Sequence, residues 1–267
     1  SYDDWFRDFE SIEDGYGEAS HSDEAFKKLK EIDKAIRDAT TERHKLLRQK
    51  KKRQQLDTGY AEKIPYDKLD DFNAKAFEQI KIDTGYNDKK AKEFHESLKE
   101  YFNGDFEAIL LGETQTAKII RNGIDRMPVY AGSINRGMVL DDAEVKAFTD
   151  LKPGDELPRK GIIESWSSER GTAVAYSGIS DYNRNSVILE CMDNETGVGV
   201  RHISSYGNVE SEVLSSSRYE VIEMAIENKY EYLSKHREYL YSVKDLEDEK
   251  ADLKENVVCI IKVKETN

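Results

Sequence analysis

The first half of the chain places its hydrophobic residues at the period of an α-helix. From Ser22, which can cap a helix, apolar residues recur at intervals of four and three positions and predict a helix or helical hairpin. The same period predicts helices over residues 67–81, 87–103, 105–112 and 114–125. The apolar positions of the first helix are Ala25, Leu29, Ile32, Ile36 and Ala39.

After Pro128 the pattern changes to short β-branched and aromatic runs separated by glycine, asparagine and aspartate. Helices are predicted over 141–149 and 168–177, and residues 226–254 are predicted to form a helical insertion before the last strand. The fold class is therefore α+β, with a helical N-terminal lobe followed by a mostly antiparallel β-core. The predicted strands cover 133–138, 160–165, 185–192, 198–204, 210–214, 218–224 and 256–264.

These patterns divide the chain into two parts. Residues 1–60 form a predicted N-terminal helical extension. Residues 61–267 form one predicted domain, with a helical lobe at 61–127 and the β-core at 128–267. With 267 residues in all, the chain is long enough to bury a sizeable core.

The net charge of the chain limits the classes of partner that it is expected to bind. The chain carries 41 Lys and Arg against 54 Asp and Glu, a net charge of −13 that opposes binding to nucleic acid or anionic membranes. The basic run 48–53 could contact nucleic acid or acidic lipid, but it also suits the solvated C-terminal end of a helix. No apolar run approaches the roughly 18 residues that a membrane span needs. Cys191 and Cys259 are isolated, which predicts reduced thiols in a cytosol-like compartment.

Three polar motifs follow one another in the β-core. The first is Ile-Asn-Arg-Gly-Met at 134–138, the second is Ser-Trp-Ser at 165–167, and the third is Glu-Ser-Glu at 210–212. Alternation along a strand puts the two glutamates on the same face. Paired carboxylates suit chemistry in which one group stabilises a cationic transition state and the other orients or deprotonates a nucleophile. A solvated strand edge can carry the same pattern, so the pair alone does not identify a function.

The order of these arginine, serine and glutamate motifs resembles the R-S-E class of mono-ADP-ribosyltransferases, in particular the arginine-modifying branch and the phage Alt-type enzymes. A Leu-Lys-Pro-Gly-Asp segment at 151–155 leads into the serine motif, and the resemblance covers residues 93–222, about half of the chain. It implies a helical lobe packed on a split β-sandwich. It also implies an enzyme that transfers ADP-ribose from NAD+ to an arginine of a target protein, with NAD+ as a consumed substrate and no metal.

The resemblance assigns the arginine motif to NAD+ binding. Arg136 is expected to hold the diphosphate, because a guanidinium offers a planar fork of donors and stays ionised. Gly137 is expected to let the backbone approach the nicotinamide amide. A second register stays open, since residues 129–132 also resemble the aromatic-Arg-Gly strand of the family, with Ala131 in place of the arginine. In that register the chain would be a catalytically dead binding module.

The serine motif is expected to brace the site. In the family its first serine, here Ser165, hydrogen-bonds the catalytic glutamate, and Ser165, Trp166 and Ser167 are expected to contribute to NAD+ binding. Trp166 stands where the family has threonine, and its indole could pack on the adenine or shield the pocket. In a purely structural interpretation, Ser167 or Ser168 caps the following helix. Tyr176 on that helix is expected in the core, with stacking on the nicotinamide as the alternative.

The resemblance gives the two glutamates different roles. Glu212 is the expected catalytic residue, which bonds the ribose 2′-hydroxyl and stabilises the oxocarbenium charge. Glu210 is expected to bind the acceptor guanidinium and to help remove its proton, and Tyr206 to contact the target protein. With water as the acceptor, the same site would be an NAD+ glycohydrolase. The expected target is a bacterial host protein, met in the cytoplasm after injection, expression or delivery as a toxin.

Overall fold

The computed structural model describes residues 28, 34, 53–54, 64–102, 114–158, 163–181, 183–203, 211–239 and 243–266. Contacts divide the chain into two compact units, Ser1–Lys45 and Leu46–Asn267. Lys28 and Lys34 are helical. The rest of the helix predicted from Ser22, the basic run up to residue 52 and the helix predicted at 105–112 lie outside the described residues.

Within residues 64–102 and 114–124, the structure describes three helices that form a helical lobe ahead of the sheet: α1 (Leu69–Thr84), α2 (Asp88–Phe102) and α3 (Gln115–Ile124). Their apolar faces share one buried core with residues of the sheet, and the three helices predicted here are confirmed. Gly85 ends α1 at a φ of 68°, a left-handed conformation that glycine adopts without strain. Thr114 begins α3, because its side chain accepts a hydrogen bond from an amide in the first turn.

The β-core is a mostly antiparallel sheet. The strands are β1 (Arg53–Gln54), β2 (Val129–Tyr130), β3 (Ile134–Leu140), β4 (Glu164–Ser167), β5 (Asn185–Cys191), β6 (Val198–Gly199), β7 (Glu212–Ser215), β8 (Tyr219–Asn228) and β9 (Val257–Glu265). β1 and β2 pair in parallel, and the other seven form one sheet in the order β6-β7-β4-β3-β5-β9-β8. Within that sheet only β5 and β9 are parallel. The predicted α+β class and mostly antiparallel core are confirmed.

The sheet is weakly joined at its middle. β3 and β4 share a single pair, Asn135 opposite Ser167, whereas β3 and β5 pair at seven positions. Two strands that share one pair diverge beyond it and leave space between them. The split expected in the β-core therefore takes the form of one sheet with an opening between β3 and β4.

Among the residues described after Ile124, five further helices lie between or after the strands of the core. They are α4 (Asp142–Thr149), α5 (Arg170–Tyr176), α6 (Lys229–Lys235), α7 (Val243–Asp248) and α8 (Lys250–Glu255), with single 3-10 turns at Tyr66–Lys68 and Arg237–Tyr239. The helical insertion begins at residue 229 and not at 226, because β8 stays paired with β9 as far as Asn228 opposite Val257. In the part of the chain that the structure describes, no helix is long and apolar enough to span a bilayer.

Candidate active site

A cleft opens where β3 and β4 diverge, and α5 contributes one of its sides. It brings together the arginine, the first serine and the second glutamate of the three sequence motifs. These elements come from distant parts of the chain, and the sheet order places β7, β4 and β3 side by side. The residues that line the cleft are Phe102, Asn135, Arg136, Gly137, Ser165, Trp166, Ser167, Thr172, Ala173, Tyr176 and Glu212.

Glu212 is the first residue of β7 and is only 3% exposed. The register of β7 on β4 places Glu212 opposite Ser167 and Leu214 opposite Ser165. From there the hydroxyl of Ser165 donates a hydrogen bond to Oε1 of Glu212, across a separation of 47 positions in the sequence. This is the serine–glutamate contact that the family resemblance implies.

The backbone turns sharply just before Glu212. Ser211 has a φ of 50°, a left-handed conformation that is uncommon for a residue with a side chain. Its carbonyl accepts hydrogen bonds from the amide and the hydroxyl of Ser168, at 3.0 and 3.3 Å. β7 starts at Glu212, and the expectation that strand alternation places both glutamates on one face stays a prediction. Glu210 and Tyr206 themselves lie outside the described residues.

Arg136 is held by a carboxylate that sequence reasoning did not single out. Its Nη1 lies 3.5 Å from Oε1 of Glu164, and the two side chains are 13% and 5% exposed. Nη1 is a buried atom with no hydrogen-bond partner among the described residues, and the Glu164 carboxylate is its ion-pair partner. An acidic residue inside a predicted strand, directly before Ser165, is the signal that could have identified Glu164.

The two possible arginine registers lie in different parts of the structure. Ala131 follows β2, which pairs with β1 and not with the seven-stranded sheet. It is absent from the described residues that line the cleft, whereas Arg136 lies within β3 and lines it. The geometry therefore favours Arg136 as the arginine of the motif.

Gly137 is required by the packing of β3 against α5. A Cβ built on Gly137 would lie 1.7 Å from the carbonyl oxygen of Ala173 and 2.6 Å from the amide nitrogen of Ser177. Both are backbone atoms, which cannot rotate away as a side chain can. Gly137 lines the cleft, but close contact between strand and helix already explains the glycine, without an approaching ligand.

We expect Gly137→Ala to lower the free energy of unfolding by about 3 kcal/mol, the upper end of the usual cost of overpacking. The midpoint of urea unfolding measures this change. Gly85→Ala is the control, because its Cβ meets nothing within 4 Å and only its φ of 68° is unfavourable. That change should cost about 1 kcal/mol. Equal midpoints for the wild type and Gly137→Ala would contradict the contact.

Three other expectations for the serine motif and its helix are wrong. The indole of Trp166 is 2% exposed and packs in the core on Tyr219, with ring centroids 4.6 Å apart, so it cannot stack on an adenine in the cleft. Tyr176 is 57% exposed and lines the cleft, although a core position was expected. Neither serine caps α5, because Glu169 is its N-cap residue without a side-chain bond, and Ser167 Oγ instead accepts from the Glu169 amide at 3.0 Å.

The helical lobe reaches the cleft through the end of α2. Phe102 lines the cleft, and the neighbouring Tyr101 is buried. Burial, and then the nearby charge of Glu212, raises the pKa of Tyr101 far above its ordinary value. The sequence predicted Tyr101 only as part of a buried helix face.

The described cysteines and metal-ligating residue types are not arranged for thiol or metal chemistry. Burial raises the pKa of the Cys191 thiol to about 12 and that of Cys259 to about 11, so neither is a thiolate nucleophile near neutral pH. Both cysteines are free, as expected. Within the described ranges, no group of three His, Cys, Asp or Glu side chains is arranged to hold a metal ion.

No protein-family model and no curated protein matches the chain. Among solved structures, it is similar to Vis toxin, an ADP-ribosyltransferase from Vibrio splendidus (13% identity, 78% of this chain and 88% of that chain, TM-score 0.45). It is also similar to exoenzyme S from Pseudomonas aeruginosa in complex with human 14-3-3 protein beta and carba-NAD (15% identity, 74% of this chain and 84% of that chain, TM-score 0.44). A third similar structure is that of the type III effector XopAI from Xanthomonas axonopodis pv. citri (14% identity, 92% of this chain and 99% of that chain, TM-score 0.45). At such low identities and TM-scores, the case for a function rests on the cleft itself.

Proposed function

We propose that this protein transfers ADP-ribose from NAD+ to an arginine side chain of a target protein and releases nicotinamide. The observation that carries the proposal is the hydrogen bond from Ser165 to the buried Glu212, in a cleft that Arg136 also lines. This reaction needs two groups above all. A cation must bind the diphosphate of NAD+, and an oriented carboxylate must stabilise the positive charge on the ribose.

The proposed reaction exchanges one bond at the ribose for another. The bond between C1′ and the nicotinamide nitrogen breaks, and nicotinamide leaves as a neutral molecule with the electron pair. The positive charge that develops on the ribose is stabilised by Glu212, which Ser165 holds in place. A guanidinium nitrogen of the acceptor then bonds C1′ and loses a proton to a carboxylate.

Arg136 is suited to holding the diphosphate of NAD+. Its guanidinium is mostly buried, is oriented by Glu164 and keeps Nη1 without a hydrogen bond among the described residues. An anion that binds there gains a charge-assisted hydrogen bond in a region from which water is largely excluded. Ser167 and Trp166 border the same cleft and belong to the proposed NAD+ site.

The choice of acceptor rests on Glu210. An arginine side chain is protonated at neutral pH and is therefore a poor nucleophile, so its acceptor site needs a carboxylate that binds it and takes its proton. Glu210 supplies this group in the proposal, and Tyr206 contacts the target protein. The proposed target is a host protein with an accessible arginine, met in the cytoplasm of a bacterial host.

Two other functions use the same fold. An NAD+ glycohydrolase would use water as the acceptor and would not need Glu210. A catalytically dead binding module was favoured by the Ala131 register and by the tryptophan in the serine motif. Because Trp166 packs in the core and Arg136 lines the cleft, neither feature supports a dead site.

An assay with labelled NAD+ distinguishes these functions. The purified protein is incubated with biotin-labelled NAD+ and bacterial lysate, free nicotinamide is measured by chromatography, and labelled proteins are examined by mass spectrometry. ADP-ribose on arginine supports the proposal. Nicotinamide release without labelled protein indicates a glycohydrolase, and the absence of both contradicts NAD+ chemistry altogether.

We expect Arg136→Lys to raise the Kd for NAD+ roughly ten- to hundredfold, because a lysine keeps the charge beside Glu164 but loses the planar fork of donors. Calorimetry in a Glu212→Gln background measures this Kd without turnover. Arg136→Ala is less informative, because it leaves Glu164 buried without its cation, which costs about 3–5 kcal/mol of stability.

Ala131→Arg tests the alternative register directly. If Arg136 is the arginine of the motif, an added arginine at position 131 should not increase nicotinamide release. An Ala131→Arg variant that gains activity over a silent wild type would show that the motif lies at 129–132 and that Arg136 has another role.

A further inference from the structure

One wall of the cleft is the helix α5, and the helical insertion contacts this helix from the side away from the cleft. Thr172 and Tyr176 line the cleft from one face of α5. At about 100° of rotation per residue, Arg170 and Val174 lie on the opposite face. The insertion, which comprises α6, α7, α8 and the 3-10 turn Arg237–Tyr239, packs against that second face. The sequence predicted the insertion but assigned it no role.

A fully buried lysine of the insertion fixes the end of α5. Lys229 is the first residue of α6, and it is 0% exposed. Its Nζ donates hydrogen bonds to the carbonyls of Gly178 and Asp181, at 2.9 and 2.6 Å, just beyond the last turn of α5. Burial lowers the pKa of Lys229 to about 8, because a charge is costly at this position. An apolar side chain would fill the space at lower cost, so the two carbonyls are the reason for an amine here.

The insertion also contacts the start and the middle of α5. Arg170, the first residue of α5, donates from Nε to Oε1 of Glu190 at 2.7 Å and from Nη1 to the hydroxyl of Tyr239 at 3.2 Å. Glu190 belongs to β5, whereas Tyr239 ends the 3-10 turn of the insertion. Val174 packs in one buried cluster with side chains of α6, α7 and α8, namely Tyr232, Leu233, Leu246 and Leu253. The insertion therefore holds α5 at both ends and between them.

We infer that the helical insertion positions α5 as a wall of the NAD+ site, with Lys229 and Tyr239 as positioning residues. The inference rests on the proposed function of the cleft. The groups assigned to the chemical step, Ser165 and Glu212, lie on β4 and β7 and not on α5. A displaced α5 should therefore weaken the binding of NAD+ more than it slows the chemical step. KM then rises while kcat changes little, which is the pattern for contacts that stabilise bound substrate and transition state equally.

Lys229→Met is the main test, because methionine fills most of the space of the lysine stem but supplies no donor. We expect KM for NAD+ to rise roughly three- to tenfold and kcat to change by less than about twofold. Lys235→Met is the matched control. Lys235 lies on the same helix but is exposed, and its Nζ bonds to Oε2 of Glu227 at 2.8 Å. Its loss should leave both constants unchanged.

Tyr239→Phe tests the other end of α5 and should leave the fold intact, because it removes one oxygen from a half-buried side chain. We expect KM for NAD+ to rise about two- to threefold, as the loss of one hydrogen bond to a charged group allows. Glu265→Gln shows whether a general loss of stability has the same effect. Its carboxylate bonds to Glu195, Thr196 and Ser217 and not to α5, so KM should stay unchanged.

Hydrogen exchange followed by mass spectrometry measures the hold on α5 without any reaction. The amides of residues 170–181 should exchange faster in Lys229→Met than in the wild type, whereas those of β7 should not change. The inference is overturned if KM stays unchanged in both Lys229→Met and Tyr239→Phe, or if kcat alone falls. An equal rise in KM in a control variant, or unchanged exchange over residues 170–181, also overturns it. A wild type that releases no nicotinamide would instead overturn the proposed function, and the exchange rates would still show whether the insertion holds α5.

Discussion

Glu212→Gln is expected to reduce both ADP-ribose transfer and NAD+ hydrolysis by roughly 10²–10³, because an oxocarbenium charge must be stabilised whichever acceptor attacks. The glutamine has the same shape, and its carbonyl oxygen can still accept the hydrogen bond from Ser165. The fold should therefore persist, and the loss can be attributed to the missing charge. Nicotinamide release and protein labelling are measured on the same preparation.

Glu265→Gln is a matched control for Glu212→Gln. Glu265 is also buried, and its carboxylate accepts hydrogen bonds from the amides of Glu195 and Thr196 and from the hydroxyls of Thr196 and Ser217. Loss of its charge should lower the midpoint of unfolding without lowering kcat. Hydrolysis at the wild-type rate in Glu212→Gln would remove Glu212 from the catalytic role.

Periodicity predicted most of the described helices and strands, because the buried face of each element follows the spacing of its apolar residues. The strand predicted at 198–204 is wrong in length, since β6 ends at Gly199 and residues 201–203 form a turn. The apolar stripe of α2 packs in the core as its spacing indicated, and the capping box of Asp141 and Glu144 begins α4 where the sequence placed it. The start of β7 could not be predicted in this way. It depends on the left-handed Ser211, whose carbonyl is held by Ser168, 43 positions away.

The alternation of side chains along a strand could have corrected the expectation that Trp166 contacts NAD+. Neighbouring side chains on a strand point to opposite faces, so Trp166 could not share a face with both Ser165 and Ser167. The structure buries the indole against Tyr219, while Ser165 bonds to Glu212. The family pattern suggested a ligand contact for the indole, and the elementary geometry of β4 excludes it.

Contacts between distant residues could not be deduced from the linear pattern. The sequence placed Arg136, Ser165 and Glu212 together only through the family resemblance. It gave no sign that Glu164 would pair with Arg136. His202 shows no metal-ligand spacing, yet its Nε2 lies 2.9 Å from Oδ2 of Asp83 in α1, 119 positions earlier. Such pairs depend on how the helical lobe docks on the sheet, which periodicity does not determine.

The two glutamates of the third motif are expected to respond to substitution in different ways. Glu212→Gln should reduce every turnover of NAD+, transfer and hydrolysis alike, whereas a change at Glu210 should affect only the acceptor. Glu210→Asp, which keeps the charge on a shorter side chain, is the control for the loss of charge in Glu210→Gln. It should retain part of the protein labelling, because a carboxylate can still bind a guanidinium.

Glu210→Gln is expected to abolish detectable labelling of the target protein while slow NAD+ hydrolysis continues. The amide keeps the shape and the hydrogen bonding of the side chain, but it loses the charge that holds the guanidinium and accepts its proton. Water then replaces the missing acceptor, and the affinity for NAD+ should hardly change. Labelled target on a gel and free nicotinamide by chromatography, measured together, give the ratio of the two activities. If both fall in parallel, Glu210 belongs to the NAD+ site, and the proposed specificity for arginine loses its chemical basis.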